Sequence, residues 1–266
     1  MTAAAAESRA SFGLTVTGEE ARRFDRWPPS RIAELIARHA FLVIRGSQLD
    51  DDQFVALAET MGKPIEYAFG KVLNMEARVG AAESQFTHAG MALHQDAILN
   101  RNNRATYLFF KCKETPRDPG GETLLTDNRM FMQVAPRDLL DELRAARVAY
   151  RTLTTGYYDG GGGAEQSIEH PAIVRHPRTG DETLYIALDD PDDPRRNYHA
   201  SVVGYSDAES RRLMTRVDAV LRRPDLLYAH VWQVGDILAF DNYLVCHGRN
   251  PFMPGQRRRL LRVVTE

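Results

Sequence analysis

Trp232-Gln233-Val234-Gly235-Asp236-Ile237-Leu238-Ala239-Phe240-Asp241-Asn242 carries a strand over residues 236–241, and the segments 227–232 and 260–264 on either side read as strands as well. The chain therefore closes with a run of short strands. Upstream, residues 106–113 (TYLFFKCK) and 123–126 are strand-like, with a turn-rich connection from Pro116 to Gly121, and further strands are expected at 172–175 and 183–187. Helical periodicity is confined to a few places. Residues 29–39 place Ile32, Leu35 and Ile36 on one face and lead into the apolar strand 41–44, which Gly46 ends. Residues 50–61 open on capping acids and carry Phe54, Leu57, Ala58 and Met61 at helical spacing. Residues 137–146 and 207–221 are amphipathic, the second ending near Pro224. Helices set before and between many short strands predict a mainly β protein with flanking helices, a sheet-on-sheet barrel or jelly roll rather than an alternating parallel α/β fold.

The chain has 266 residues, enough for a single domain spanning 1–266 with a substantial core, and residues 1–28 read as a partly flexible N-terminal extension. Lys plus Arg (34) nearly balances Asp plus Glu (36), so no overall field favours nucleic acid or an anionic membrane. The basic cluster 257–262 is local. Two cysteines, Cys112 and Cys246, make no disulfide framework and suit a reducing interior. The first residues lack the basic start and apolar run of a secretory signal, and no apolar stretch approaches a membrane span, which points to a cytoplasmic protein, with homo-oligomerisation left open. Internal repeats, GxGxxG and Walker-type loops are absent.

Loops mark where chemistry is expected. Residues 64–91 lose periodicity, with glycines at 70, 80 and 90, and read as long loops or edge strands. Gly160 to Gly163, after Tyr157-Tyr158-Asp159, forms a mobile loop, and residues 189–196 are too rich in Asp and Pro for regular structure.

His94-Gln95-Asp96 and the distant His247-Gly248-Arg249 supply two histidines and one carboxylate, the ligand set that leaves one face of an iron(II) ion open. Residues two apart on an extended segment project to one side, so His94 and Asp96 can reach a single ion while Gln95 points away. Taken alone, HxD is a weak signal that more often marks a surface histidine beside a turn-capping aspartate. His39, His88, His170, His176, His199 and His230 read as structural or surface residues, with His88 set apart by lying six residues before His94. The same ligands also suit a zinc hydrolase, and a metal-free β-barrel binding module is a third reading.

The pattern of Trp232 to Asn242, then His247, then Arg258 eleven residues later, resembles the TauD/TfdA-like iron(II) and 2-oxoglutarate-dependent dioxygenases. The likeness runs from about Phe41 to the C-terminus and includes Gly120-Gly121-Glu122-Thr123. It implies a double-stranded β-helix core and His94, Asp96 and His247 as iron ligands. Arg258 and Thr123 would hold the far carboxylate of 2-oxoglutarate, and dioxygen would be the oxidant. Arg262, fifteen residues past His247, falls where relatives with acidic substrates carry an anion-binding arginine, or else supports the site from behind. Within the family the chain is most similar to carbapenem synthase-like biosynthetic oxygenases, and less so to isonitrile-pathway oxygenases. That likeness rests on Ile65-Glu66-Tyr67-Ala68, Gly156-Tyr157-Tyr158 and Val202 to Asp207. It implies a small-molecule substrate, such as a natural-product intermediate that is hydroxylated, desaturated, cyclised or epimerised. Tyr67, His88, Tyr157, Tyr158 and Arg262 are the substrate-side candidates, and the segment around Tyr157 is expected to act as a lid. Because Asp96 fills the carboxylate position, halogenation is disfavoured.

Overall fold

The computed structural model describes residues 12–67, 69–78, 81, 84–99, 105–152, 167–190 and 197–266. The strand Phe41–Ile44 shows how its layers arise. All four residues are buried, and alternate side chains enter different cores because strand side chains have period two. Phe41 and Val43 join Leu108, Phe110, Phe240, Leu125 and Val245 in one cluster. Leu42 and Ile44 join Phe109, Ile237 and the helical residues Ile32, Ile36 and Phe54 in another.

The first cluster lies between two sheets. One has six strands in the order Leu14–Val16, Phe41–Ile44, Ile237–Asp241, Tyr107–Glu114, Arg259–Thr265, Leu73–Glu76; the other has four, Leu227–His230, Thr123–Asp127, Val245–Arg249, Met91–His94. Every pairing is antiparallel except that of Leu14–Val16 with Phe41–Ile44. Two antiparallel sheets face to face over an apolar filling form the expected jelly-roll core. A third cluster backs the four-stranded sheet, where Leu93, Leu124 and Cys246 meet Leu139, Leu143, Leu213 and Val217 from the helices Arg137–Ala145 and Asp207–Leu221.

Helix boundaries follow local chemistry. Asp50 and Gln53 form a reciprocal capping box before Asp51–Glu59, and Ser206 and Glu209 do the same before Asp207–Leu221. The helix Pro29–His39 begins with proline in its first turn and stops at Ala40, whose φ of 69° is left-handed.

Several elements were not anticipated. Arg147–Thr152 pairs with Tyr198–Val202 on one side and Ser167–Pro171 on the other. Ser167–Pro171 is an edge strand, the position where a proline is tolerated. The strand expected at 183–187 is only Glu182–Leu184, paired with Ile173–Arg175. Residues 12–28, read as part of an extension, contribute an edge strand and the buried side chains Phe12, Phe24 and Trp27. The residues 160–163 and 191–196 lie outside the described residues.

Candidate active site

Val245–Arg249 alternates as a buried strand must: Val245 belongs to the inter-sheet core, Cys246 to the core behind. His247 turns inward against Phe240 and Phe110, with ring centroids 5.1 and 6.0 Å away. It pairs directly opposite His94, and the two imidazole centroids are 4.3 Å apart. Gly248 permits this approach, since a Cβ there would lie 2.7 Å from the Met91 carbonyl oxygen.

Asp96 sits just past the end of Met91–His94, before Ala97 at a left-handed φ of 61°. Asn242 holds its main chain in place of a strand partner. The Asp96 N–H donates to Asn242 Oδ1 at 2.9 Å, and Asn242 Nδ2 donates to the carbonyls of Asp96 and Ala105, each at 3.0 Å. Gln95 points away as expected, donating to the Asn242 carbonyl at 2.5 Å and accepting from Ile186 N at 2.8 Å.

The three candidate ligand side chains converge, with one donor atom from each lying within 4.8 Å of the others. Asp96 Oδ1 is 3.5 Å from His94 Nε2 and 3.6 Å from His247 Nε2. His94 Nδ1 lies 2.8 Å from the Ala92 carbonyl, which can only accept. Its proton therefore sits on Nδ1, and Nε2 offers a lone pair to the cluster. Burial, then the neighbouring His94, pushes His247 down to about 3, so its imidazole is neutral and can ligate. Burial alone would raise the Asp96 carboxyl, but the adjacent Arg262 guanidinium outweighs it and holds the group well below the usual carboxylate range. Two imidazole nitrogens and an ionised carboxylate fit a divalent iron ion.

Beside this cluster lies a buried cationic corner. Arg258 is 3% exposed; its Nε donates to the Gly121 carbonyl at 2.7 Å and its Nη2 to Thr123 Oγ1 at 3.1 Å. Trp232 Nε1 donates to the same hydroxyl oxygen at 3.0 Å. With both lone pairs of Oγ1 engaged, the Thr123 O–H is left to donate to a ligand. Gly120 and Gly121 have φ of 127° and 74°, and a Cβ on Gly121 would crowd Arg258 Cδ at 3.0 Å. Gly121 thus leaves room for the Arg258 side chain, while Gly120 lets the loop pass the Pro251 carbonyl oxygen, which a Cβ would meet at 2.6 Å. Burial, then repulsion from Arg249, lowers Arg258 to about 9, a destabilised cation that an incoming carboxylate relieves.

His94, Asp96, His247, Thr123, Arg258 and Arg262 all open on one cavity of about 1020 Å³. It runs outward past Tyr198–Val202 to the helix Asp207–Leu221, where Arg211 and Met214 line it. Arg262 donates to Asp96 Oδ2 at 2.6 Å and so stands behind the three candidate ligands.

Two of the substrate-side candidates do not line this cavity directly. Tyr67 stacks on Phe69 at 5.0 Å, with the Arg262 guanidinium 5.9 Å from its ring. His88 contacts the Gln256 carbonyl at 3.3 Å and packs against Phe252. Neither belongs to the cavity lining. Tyr157 and Tyr158 lie outside the described residues.

Three residues quoted within the sequence motifs have roles that the sequence reading did not assign. Trp232 braces Thr123, Gly248 admits the neighbouring strand, and Arg249 donates to the Ala89 carbonyl at 2.6 and 3.1 Å and to the Gln85 carbonyl at 3.3 Å. The signal for Arg249 was its place two residues from His247, on the same strand face.

The family model described as taurine catabolism dioxygenase TauD, TfdA family matches residues 6–264. The chain belongs to this dioxygenase family. Among curated relatives it is 28% identical over 238 residues to 3-((Z)-2-isocyanoethenyl)-1H-indole synthase of Fischerella ambigua, covering 88% of this chain and 84% of that protein. It is 28% identical over 268 residues to the alpha-ketoglutarate-dependent 2,4-dichlorophenoxyacetate dioxygenase of Cupriavidus pinatubonensis, covering 88% and 87%. The crystal structure of the PvcB protein from Pseudomonas aeruginosa shares the fold, with a TM-score of 0.75 at 22% identity over 100% of this chain and 95% of that one. TauD/TfdA membership decides for a dioxygenase over the zinc hydrolase and the binding module. No helix among the described residues is long and apolar enough to cross a membrane.

Proposed function

We propose that this TauD/TfdA enzyme is a single-domain iron(II)- and 2-oxoglutarate-dependent oxygenase that oxidises a C–H bond of a small organic molecule, a natural-product intermediate. The observation that carries this reading is the convergence of His94, Asp96 and His247 beside the Arg258–Thr123 corner in one cavity. When bound, iron(II) lets dioxygen oxidise both molecules together: 2-oxoglutarate is converted to succinate and carbon dioxide, and the second oxygen atom or its oxidising equivalents go to the substrate.

The residues divide the remaining work. His94 and His247 offer imidazole nitrogen ligands, and Asp96 offers the negative charge. Arg258 grips the far carboxylate of 2-oxoglutarate through a planar, charge-assisted contact, and the Thr123 hydroxyl adds a second donor. Phe110 and Phe240 wall the inner face of His247 and keep water from that side. The substrate enters from the outer part of the cavity, between Tyr198–Val202 and the Asp207–Leu221 helix. The names of the two curated relatives both contain an aromatic ring, which supports an aromatic substrate. Buried free thiols at Cys112 and Cys246 support a reducing compartment, and we assign the enzyme to the cytoplasm.

The test is succinate formation from 2-oxoglutarate under air with Fe(II) and ascorbate, followed by proton NMR across a panel of aromatic acids and isocyanides. Wild-type protein should form succinate faster with an accepted panel member, while His247→Ala and Asp96→Ala should form none above the protein-free control. Succinate formation by His247→Ala at the wild-type rate would remove the assignment.

A further inference from the structure

The two oxygens of Asp96 face different partners. Oδ1 is turned to both histidines, at 3.5 and 3.6 Å. Oδ2 accepts from Arg262 Nη1 at 2.6 Å. Both side chains are buried, Asp96 to 8% and Arg262 to 7% exposure, so little water competes for that contact. The base of Arg262 is also fixed. Its strand, Arg259–Thr265, is paired on both sides, with Arg262 opposite Leu73 on one neighbour and Phe110 on the other. Asn242 pins the main chain of Asp96 from a third element. A carboxylate with a fixed backbone can still rotate about its last bond, and free carboxylates bind cations through one oxygen or both. A fixed guanidinium on one oxygen removes that choice.

We propose that Arg262 is a positioning residue that confines Asp96 to a single ligand oxygen. By occupying Oδ2 it leaves Oδ1 to complete the three-residue cluster and keeps room at the metal for the two chelating oxygens of 2-oxoglutarate. This proposal rests on the metal site assigned above. It also bears on specificity, because an acidic substrate group could reach this guanidinium only in competition with Asp96.

Mn(II), which turns over no substrate, is the probe. Crystals of the wild-type protein with Mn(II) should show one Asp96 oxygen on the ion and Arg262 on the other; in Arg262→Met both oxygens should bind. In solution, Arg262→Met should bind Mn(II) at least as tightly as wild type, since a nearby cation has been removed. The Mn(II)-loaded variant should bind 2-oxoglutarate about tenfold more weakly, the scale at which outer partners act on a metal site. Arg262→Lys, which retains a charged donor, should recover most of that affinity. A residue needed only for folding would lower both affinities together. Unchanged one-oxygen binding in Arg262→Met, or unchanged 2-oxoglutarate affinity, overturns the proposal. Should Arg262→Met fail to fold, the wild-type Mn(II) structure decides: Arg262 away from Oδ2, or both oxygens on the ion, overturns it. His247→Ala separates the underlying assignment, because Mn(II) binding undiminished in that variant would refute the metal site itself.

Discussion

Arg258 and Thr123 form a pair whose roles differ in strength. The guanidinium supplies charge and direction, whereas the hydroxyl supplies one neutral hydrogen bond. Arg258→Ala should therefore raise the 2-oxoglutarate concentration needed for half-maximal turnover by a hundredfold or so, equivalent to about 3 kcal/mol, and Thr123→Val by about tenfold or less. Steady-state titration of 2-oxoglutarate and of Fe(II) in the same variants checks this, and equal losses for both would mean that Arg258 only supports the fold. Histidines make a separate statement about pH. Burial lowers His230, and burial followed by His94 lowers His247, both from an ordinary value of 6.5. The folded metal-free protein thus binds fewer protons than the unfolded chain below that value, so stability is full above pH 6.5 and falls as pH drops. Each histidine contributes a slope approaching about 1.4 kcal/mol per pH unit. Thermal unfolding should shift to lower temperature between pH 7 and pH 5, and less steeply in His230→Gln; a flat wild-type profile would contradict the buried-neutral assignment. At this scale the His-x-Asp spacing and the eleven-residue step from His247 to Arg258 were legible in the sequence. The contacts of Asp96 with Asn242 and Arg262 were not, because they join residues 146 and 166 positions apart.

Between elements, the close approach of Met91–His94 to Val245–Arg249 is what brings two distant histidines face to face. Gly248 lies where a side chain would strike the Met91 carbonyl oxygen at 2.7 Å and the Ala92 carbonyl oxygen at 3.3 Å. Both are backbone atoms that cannot rotate aside. Gly248→Ala should separate the strands, lower stability by about 1–3 kcal/mol, and weaken Mn(II) binding by more than tenfold. Denaturant unfolding and metal titration check the two effects, and a variant with wild-type metal affinity would show that the register tolerates a side chain. Met91–His94 and Val245–Arg249 were not themselves read as strands, whereas Tyr107–Glu114 in the facing sheet was, because six successive residues there are buried and give a long apolar run. Arg147–Thr152 and Tyr198–Val202 were not, since only Val148, Tyr150, Ala200 and Val202 are buried and their short alternation gives a weak periodic signal. Tyr67 and His88, read as substrate-side candidates from likeness and proximity in sequence, pack against Phe69 and Phe252, with Tyr67 also neighbouring Arg262.

At the scale of the molecule, three apolar clusters separate the layers: helices behind the six-stranded sheet, the filling between the sheets, and helices behind the four-stranded sheet. The polar site interrupts the middle layer, where His247, Arg258 and Arg262 stand among Phe110, Phe240 and Leu260. Five arginines, of which Arg249, Arg258 and Arg262 are buried, line this cavity with five aspartates, so its charge is balanced overall and attraction for an anionic guest is local to the buried guanidiniums. Fold class was readable from the strand pattern, yet the cavity was not, because its walls come from segments spread between Met75 and Arg262. The central claim is that one metal ion binds at His94, Asp96 and His247 and is chelated by 2-oxoglutarate anchored on Arg258. Anaerobic titration of the protein with Fe(II) and then 2-oxoglutarate measures this directly. A weak visible charge-transfer band should grow in wild type to one equivalent of each, need far more 2-oxoglutarate in Arg258→Ala, and vanish in His247→Ala. Absence of the band in wild type, or its persistence unchanged in both variants, would contradict the claim.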